Sequence, residues 1–332
     1  MSDMSPSARI VTSPPEWRGD ALLHRPQEWL YELSPAEIRA LRAAAADVVR
    51  SGRSLPSVGR EAFKAELRDI VSPWRGRLAS GSGIVLVRGL PVRDMGPAEA
   101  AAAFWLLGLG LGKAVPQNAA SETLVDIRDT GASPDDHNTR LYKTRVELSF
   151  HTDGADIIGL LCLRGAKSGG VSRICSSVYV YNEIVRRAPQ LAPLAELPYH
   201  HHAHGQFGPN GPRTFQYPIV AKSDDVFRML LLIWYIRNAA EDFPEIASLS
   251  PEQRQLLDLL ESIPQEPGVA LDMSFREGDM QFLKNAVILH ARTAYEDWDE
   301  PADKRHLLRL WLSAPDFKDG DDALRAGIST PA

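Results

Sequence analysis

Cysteine is scarce: Cys162 and Cys175 are the only two in 332 residues. That is too few for a disulfide framework and suits a reducing compartment. Long apolar runs are missing as well. The longest, Ala100 to Gly112, has 13 residues, short of the roughly 20 that a bilayer-spanning helix needs, so it reads as a buried helix. The first twenty residues carry Pro6, Pro14, Pro15 and Glu16 and no apolar stretch of the kind a secretory leader has. The expectation is a cytoplasmic protein without membrane contact. Positive charge is in deficit, 37 Lys and Arg against 43 Asp and Glu, for a formal net charge of −6. A nucleic-acid binder would show a basic patch or stripe, so that class is set aside. No serine sits in a GxSxG elbow, which leaves a serine hydrolase without support. Gly108, Gly110, Gly112 and Lys113 resemble a phosphate loop only until Leu107 and Ala114 break the pattern.

What is present is an ordinary globular composition, 44% hydrophobic and 24% charged, long enough to bury a full core. The first 80 residues read as a helical extension. Ser34, Pro35 and Glu37 form a capping box with proline at the first helical position. Ile38, Leu41, Ala45 and Val48 then recur at helical spacing, as do Phe63, Leu67 and Ile70. Gly83 to Val87 reads as a strand and Pro97 to Leu111 as a third helix.

Beyond residue 120 the pattern predicts short strands at Leu124–Ile127, Thr144–His151, Ile157–Leu163, Val171–Ser176, Tyr217–Ala221, Val226–Tyr235, Val269–Phe275, Met280–Phe282, Val287–His290 and Leu307–Leu312. Asp224 and Asp225 would turn a hairpin. One helix follows Ser177, and another starts at Ser250, with Pro251 at its first position and Gln253 completing the cap. Ala114–Lys143 and His200–Phe215 read as long irregular lids. His200, His201, His202 and His204 read as a mobile polar loop, because they lack a regular ligand spacing. Many short strands with few helices point to a sandwich or barrel with helices outside. No linker divides the chain, so residues 1–332 are expected to form one domain, with the strand-rich core at about 83–313.

Three features carry chemistry. In a strand, residues two apart share a face, so His151 and Asp153 project together. An imidazole and a carboxylate on one face can chelate a divalent metal, although a His-x-Asp pair at a strand end is common on its own. His290 ends a second apolar strand, and as a third ligand it would complete a two-His-one-carboxylate facial triad with open positions. In Arg305 to Ser313, parity places Arg305, Leu307, Arg309 and Trp311 on one face and His306, Leu308, Leu310 and Leu312 on the other. Two arginines beside a tryptophan suit a pocket in which a guanidinium grips a carboxylate.

Together these residues resemble the taurine-dioxygenase/TfdA family of iron(II)- and 2-oxoglutarate-dependent oxygenases. The resemblance runs from about Gly83 to Ser313 and includes the 137-residue gap between Asp153 and His290. It implies a double-stranded β-helix, a cupin-like jelly roll, flanked by α-helices. It also implies Fe(II), 2-oxoglutarate as cosubstrate and O2. His151, Asp153 and His290 match the metal ligands. Ser172, in Lys167-Ser-Gly-Gly-Val-Ser172, and Arg305 match groups that hold the 2-oxoglutarate tail. Arg309 matches a second arginine near cosubstrate or an anionic substrate, and Asn285 matches a family asparagine. Asp153 favours hydroxylation or another C–H oxidation over halogenation, since halogenases of this fold replace that carboxylate with a small residue.

By the same parity Glu147 and Ser149 face the site. Glu147 stands where the family's taurine dioxygenases place an asparagine, which suggests a cationic substrate group, in an amino acid or amine whose carboxylate meets Arg309. Glu147, Ser149, Asn285 and Trp311 are thus the expected substrate contacts, with Phe150, Trp234 and Tyr235 as apolar walls. The other partner reading is that Glu147 pairs with Arg145, Arg237 or another arginine of the protein. Two other functions use the same residues: a zinc- or manganese-dependent lyase, isomerase or hydrolase of jelly-roll fold, and a non-catalytic small-molecule-binding barrel. A homo-oligomer is left open.

Overall fold

The segment Ile84-Val-Leu-Val-Arg88 is apolar at four successive positions, so a strand built from it must be covered on both faces. That is what the computed structural model shows. It describes residues 8–133, 140–204, 207, 210–223, 226–314 and 317. Ile84 and Leu86 enter one core, Val85 and Val87 another. The strand lies in a seven-stranded sheet ordered Leu30–Glu32, Ile84–Arg88, Met280–Lys284, Ile157–Arg164, His306–Ser313 and Lys113–Ala114, with Leu124–Ile127 also paired to His306–Ser313. A four-stranded sheet runs Leu271–Met273, Ser172–Ser176, Ile288–Arg292 and Leu148–His151.

Helices close the outer faces. Pro35–Arg50 begins with the expected capping box, and Ala65–Ala79 and Val92–Leu111 follow. All three pack in one cluster with Leu308, Leu310 and Leu312 of the last long strand. The apolar face read from that strand's parity is therefore its helix-covered face. Gly108 allows the approach: a Cβ there would stand 2.8 Å from a Leu310 methyl. Ser177–Arg187 and Pro251–Ser262 pack with Ile174, Ile288 and Leu289 of the smaller sheet. The result is the expected jelly-roll core with helical flanks. No helix among the described residues is long and apolar enough to cross a membrane.

Several local expectations need correction. The first 80 residues are not wholly helical, since Leu30–Glu32 adds a strand parallel to Ile84–Arg88. The strand expected over Thr144–His151 begins only at Leu148, because Thr144 caps a short 3-10 turn, Leu141–Lys143, through its hydroxyl. Val226–Tyr235 is not one strand: Phe227–Met229 pairs with Val220–Lys222, and a helix, Ile233–Asp242, follows. A continuous apolar run cannot distinguish the two by periodicity alone. Asp224 and Asp225 lie outside the described residues.

The two ends of His200–Phe215 are not irregular either, and residues 205, 206, 208 and 209 between them lie outside the described residues. Pro198–His202 and Thr214–Pro218 pair as an antiparallel ladder. His201 is fully buried, stacks on Phe215 at 4.9 Å and 8°, and places Nδ1 3.0 Å from the Tyr199 carbonyl oxygen.

Burial holds the His201 pKa down at about 4 against an ordinary 6.5. The unfolded chain therefore takes up this proton at higher pH than the folded one. Stability from the neutral imidazole is complete above pH 6.5 and is lost as pH falls toward about 4. Replacing His201 by Phe should reduce the drop in unfolding free energy between pH 7 and pH 5 by roughly 2 kcal/mol. Urea unfolding at the two pH values measures it, and an unchanged drop would contradict it.

Candidate metal centre

The strand Ile288–Arg292 runs between Ser172–Ser176 and Leu148–His151, and His290 is directly opposite His151. That register brings the two imidazoles to a ring separation of 4.2 Å. Asp153 follows two residues after His151, past the strand end. One ligand atom from each of His151, Asp153 and His290 lies within 4.8 Å of the others. Asn285 holds the Asp153 turn in place. Its Oδ1 accepts from the Asp153 backbone N–H at 2.9 Å, and its Nδ2 donates to the carbonyl oxygens of Asp153 (2.6 Å) and Ala155 (2.9 Å). Between the two ligands Thr152 turns away. Its N–H donates to the Leu231 carbonyl (3.1 Å), and its hydroxyl oxygen accepts from the Leu231 N–H (2.9 Å).

The electrostatics favour a metal. His151 Nδ1 lies 2.8 Å from the Ser149 carbonyl oxygen, so Nδ1 carries the proton and Nε2 keeps its lone pair. Burial, reinforced by the neighbouring His290, lowers the His151 pKa to about 4, which keeps the ring neutral near pH 7. Burial alone would raise the Asp153 carboxyl. The Arg309 guanidinium and the two imidazoles outweigh it and hold the group well below the usual carboxylate range. Asp153 Oδ2 accepts from Trp311 Nε1 at 3.0 Å and from Arg309 Nη1 at 3.4 Å. His290 Nδ1 is buried without a partner. Two imidazoles and a charged carboxylate fit a divalent first-row metal and leave coordination positions open.

Asp153 lines three spaces, one of them shared with Asn285, and the other two also reach His151. A slot of about 60 Å³ lies between the sheets, lined by Ser172, Arg305, Arg309 and the unexpected Arg292. Ser172 accepts from Gln281 Nε2 at 3.2 Å. Arg305 is 5% exposed, its guanidinium lies over the Tyr295 ring, and its Nη1 has no partner among the described residues. A cavity of about 370 Å³ lies on the other side, lined by Glu147, Ser149, Phe150, Trp234, Tyr235 and Arg237 among others. Arg309 lines both spaces. Its Nε donates to Gln117 Oε1 at 2.7 Å, while its Nη2 is buried without a partner among the described residues.

The structure thus gathers His151, Asp153, His290, Ser172, Arg305, Arg309, Glu147 and Ser149 around one place. Asn285 and Trp311, expected at the substrate, have a different position. Both side chains face Asp153, and neither lines the larger cavity. Sequence reasoning missed Gln117, Tyr142 and Arg292. Only Arg292 had a local signal, standing two residues after His290 on the same strand face.

Because Asn285 holds the backbone that carries Asp153, Asn285→Ala should cost about 2–4 kcal/mol for its buried hydrogen bonds and weaken retention of a divalent metal. Denaturant unfolding and metal content after dialysis check both. Full retention would show that Asp153 needs no such support.

With the geometry established, comparison with known proteins is informative. The model of the taurine catabolism dioxygenase TauD, TfdA family matches residues 51–311. FR-33289 synthase of Streptomyces rubellomurinus is 30% identical over 292 residues, covering 86% of this chain and 85% of its own. An asparagine oxygenase solved with Fe(II), 2S,3S-3-hydroxyasparagine and succinate superposes with a TM-score of 0.66 at 17% identity, over 86% of this chain and 93% of that one. The non-heme iron oxygenase OrfP, solved with Fe, succinate and (3S)-hydroxy-L-Arg, gives 0.66 at 15% identity, over 86% and 94%. At those identities the two structures bear on the fold.

Proposed function

The chain belongs to the taurine catabolism dioxygenase TauD, TfdA family, and from that premise we propose that it is an iron(II)- and 2-oxoglutarate-dependent dioxygenase that hydroxylates a small amino acid or amine. The observation that carries this reading is the joining of two spaces at one carboxylate. A metal-competent triad opens on one side to a slot with an unpartnered arginine, and on the other to a cavity large enough for a small molecule.

In this reading His151, Asp153 and His290 hold the iron. When bound, iron supplies the oxidative chemistry that couples loss of CO2 from 2-oxoglutarate, with release of succinate, to oxygenation of a C–H bond. The protein's own groups bind, orient and exclude. Arg305 and Ser172 hold the far carboxylate of the cosubstrate. Arg309 and Trp311 keep Asp153 ionised and turned toward the metal position. Since contributing residues span 147 to 309 and come from both sheets, the chain is read as one domain. Cys162 and Cys175 are buried free thiols, in keeping with a cytoplasmic setting.

The substrate reading rests on charge. Arg145 pairs with Asp129 at 3.0 Å, and Arg237 pairs with Asp258 and Glu261. Two of the arginines that could have neutralised Glu147 are therefore engaged elsewhere. Glu147 at the cavity wall suits an ammonium or guanidinium group, and the free Arg309 Nη2 suits a carboxylate. The hydroxylated amino acids in the two similar structures agree with that pattern. A lyase or hydrolase on the same ligands, or a binding barrel, would leave the Arg305 slot without a task.

Supplied anaerobically with Fe(II) and 2-oxoglutarate and then exposed to O2 and a panel of amino acids and amines, the enzyme should release succinate. His151→Ala should abolish this, and retained turnover would refute the assignment. Glu147→Gln should raise KM for cationic substrates ten- to hundredfold, the loss of one charge-assisted hydrogen bond, with a smaller effect on kcat. An unchanged KM would remove the cationic-substrate reading alone.

A further inference from the structure

Arg292 is a buried cation to which the reaction above gives no task. It stands two residues after His290 on Ile288–Arg292, so both side chains face the space between the sheets. It is 6% exposed. Its Nη2 donates to the Val146 carbonyl oxygen, but Nε and Nη1 are buried without partners among the described residues. Arg305 reaches the same slot from the opposite sheet and also has a buried, unpartnered Nη1. The two guanidinium carbons lie 4.8 and 5.0 Å from the centre of the Tyr295 ring. Ser172 is opposite Arg292 across the ladder.

No nearby acid hydrogen-bonds these free donors among the described residues. Asp297 uses Oδ1 for the Arg305 backbone N–H at 2.7 Å, its Oδ2 is buried without a partner, and Asp129 pairs with Arg145. Buried donors left without acceptors are costly, and two adjacent buried cations more so. A ligand that brings one carboxylate between them satisfies donors from both arginines at once.

We propose that Arg292 and Arg305 form a two-guanidinium clamp for the far carboxylate of the dicarboxylic cosubstrate, with Arg292 a second binding residue for it. The inference rests on the functional reading above. The clamp accepts any ligand with that terminal carboxylate, so succinate, which keeps it, is held by the same pair. A 2-oxo acid that ends in a methyl group gains nothing from it.

The test measures dissociation constants of the anaerobic Fe(II) enzyme for 2-oxoglutarate, succinate and 2-oxopentanoate by thermal shift. Arg292→Gln should weaken 2-oxoglutarate and succinate ten- to hundredfold and leave 2-oxopentanoate within twofold. Arg292→Lys keeps the charge without the fork and should recover part of the loss. Unchanged 2-oxoglutarate affinity, or an equal loss for all three ligands, overturns the clamp. If the Gln variant does not fold, the Lys variant decides: a threefold or greater loss confined to the two dicarboxylates supports the clamp, and no loss overturns it. A parent enzyme that fails to prefer 2-oxoglutarate over 2-oxopentanoate removes the functional reading and the clamp with it.

Discussion

A carboxylate buried between two sheets stays ionised only if positive groups are built around it, and Asp153 organises this molecule on those terms. Arg309 and Trp311 reach it from the seven-stranded sheet, and His290 from the four-stranded one. Each contact depends on the register of a strand far away in sequence. A one-residue slip of His306–Ser313 would turn Arg309 and Trp311 toward the helices and Leu310 toward the metal position. The charge at Asp153 and the pairing of the sheets are therefore one constraint.

The same geometry divides labour between the sheets. The smaller one supplies both imidazoles and Ser172, on neighbouring strands whose ladder fixes their separation. The larger one supplies Arg309 and ends beside Arg305. Apolar residues of its long strand, Leu308, Leu310 and Leu312, anchor it to the helical layer. A rigid outer face thus sets the inner face, which keeps polar groups in position without covalent bridges between strands.

Much of this was legible in the sequence, because the informative signals were local. Period-two alternation placed His151 with Asp153 and split the Arg305–Ser313 segment into an apolar and a functional face. Ser34 with Glu37 and Ser250 with Gln253 marked two helix starts that the structure shows as capping boxes. What was not legible is long-range. Gln117 meets Arg309 across 192 positions, and Asn285 meets Asp153 across 132. Neither pairing leaves a trace in spacing. The histidines at 200–204 misled because polarity suggested a loop, whereas stacking on Phe215 and Trp234 makes an imidazole behave as an aromatic core residue. Arg292 obeyed the parity rule, but a lone arginine after His290 had no second signal beside it.

Thr152 has a consequence of a different kind. Its paired bonds to Leu231 tie the chain between two metal-site residues to the segment that leads into Ile233–Asp242, which carries Trp234, Tyr235 and Arg237. Two facing walls of the larger cavity are thereby joined at their base, across 79 positions of sequence. The span between them is fixed when the chain folds rather than when a ligand arrives. Such a cavity is preorganised: a guest loses its own freedom on entering but orders little of its host. Selection by size then falls to the walls as they stand.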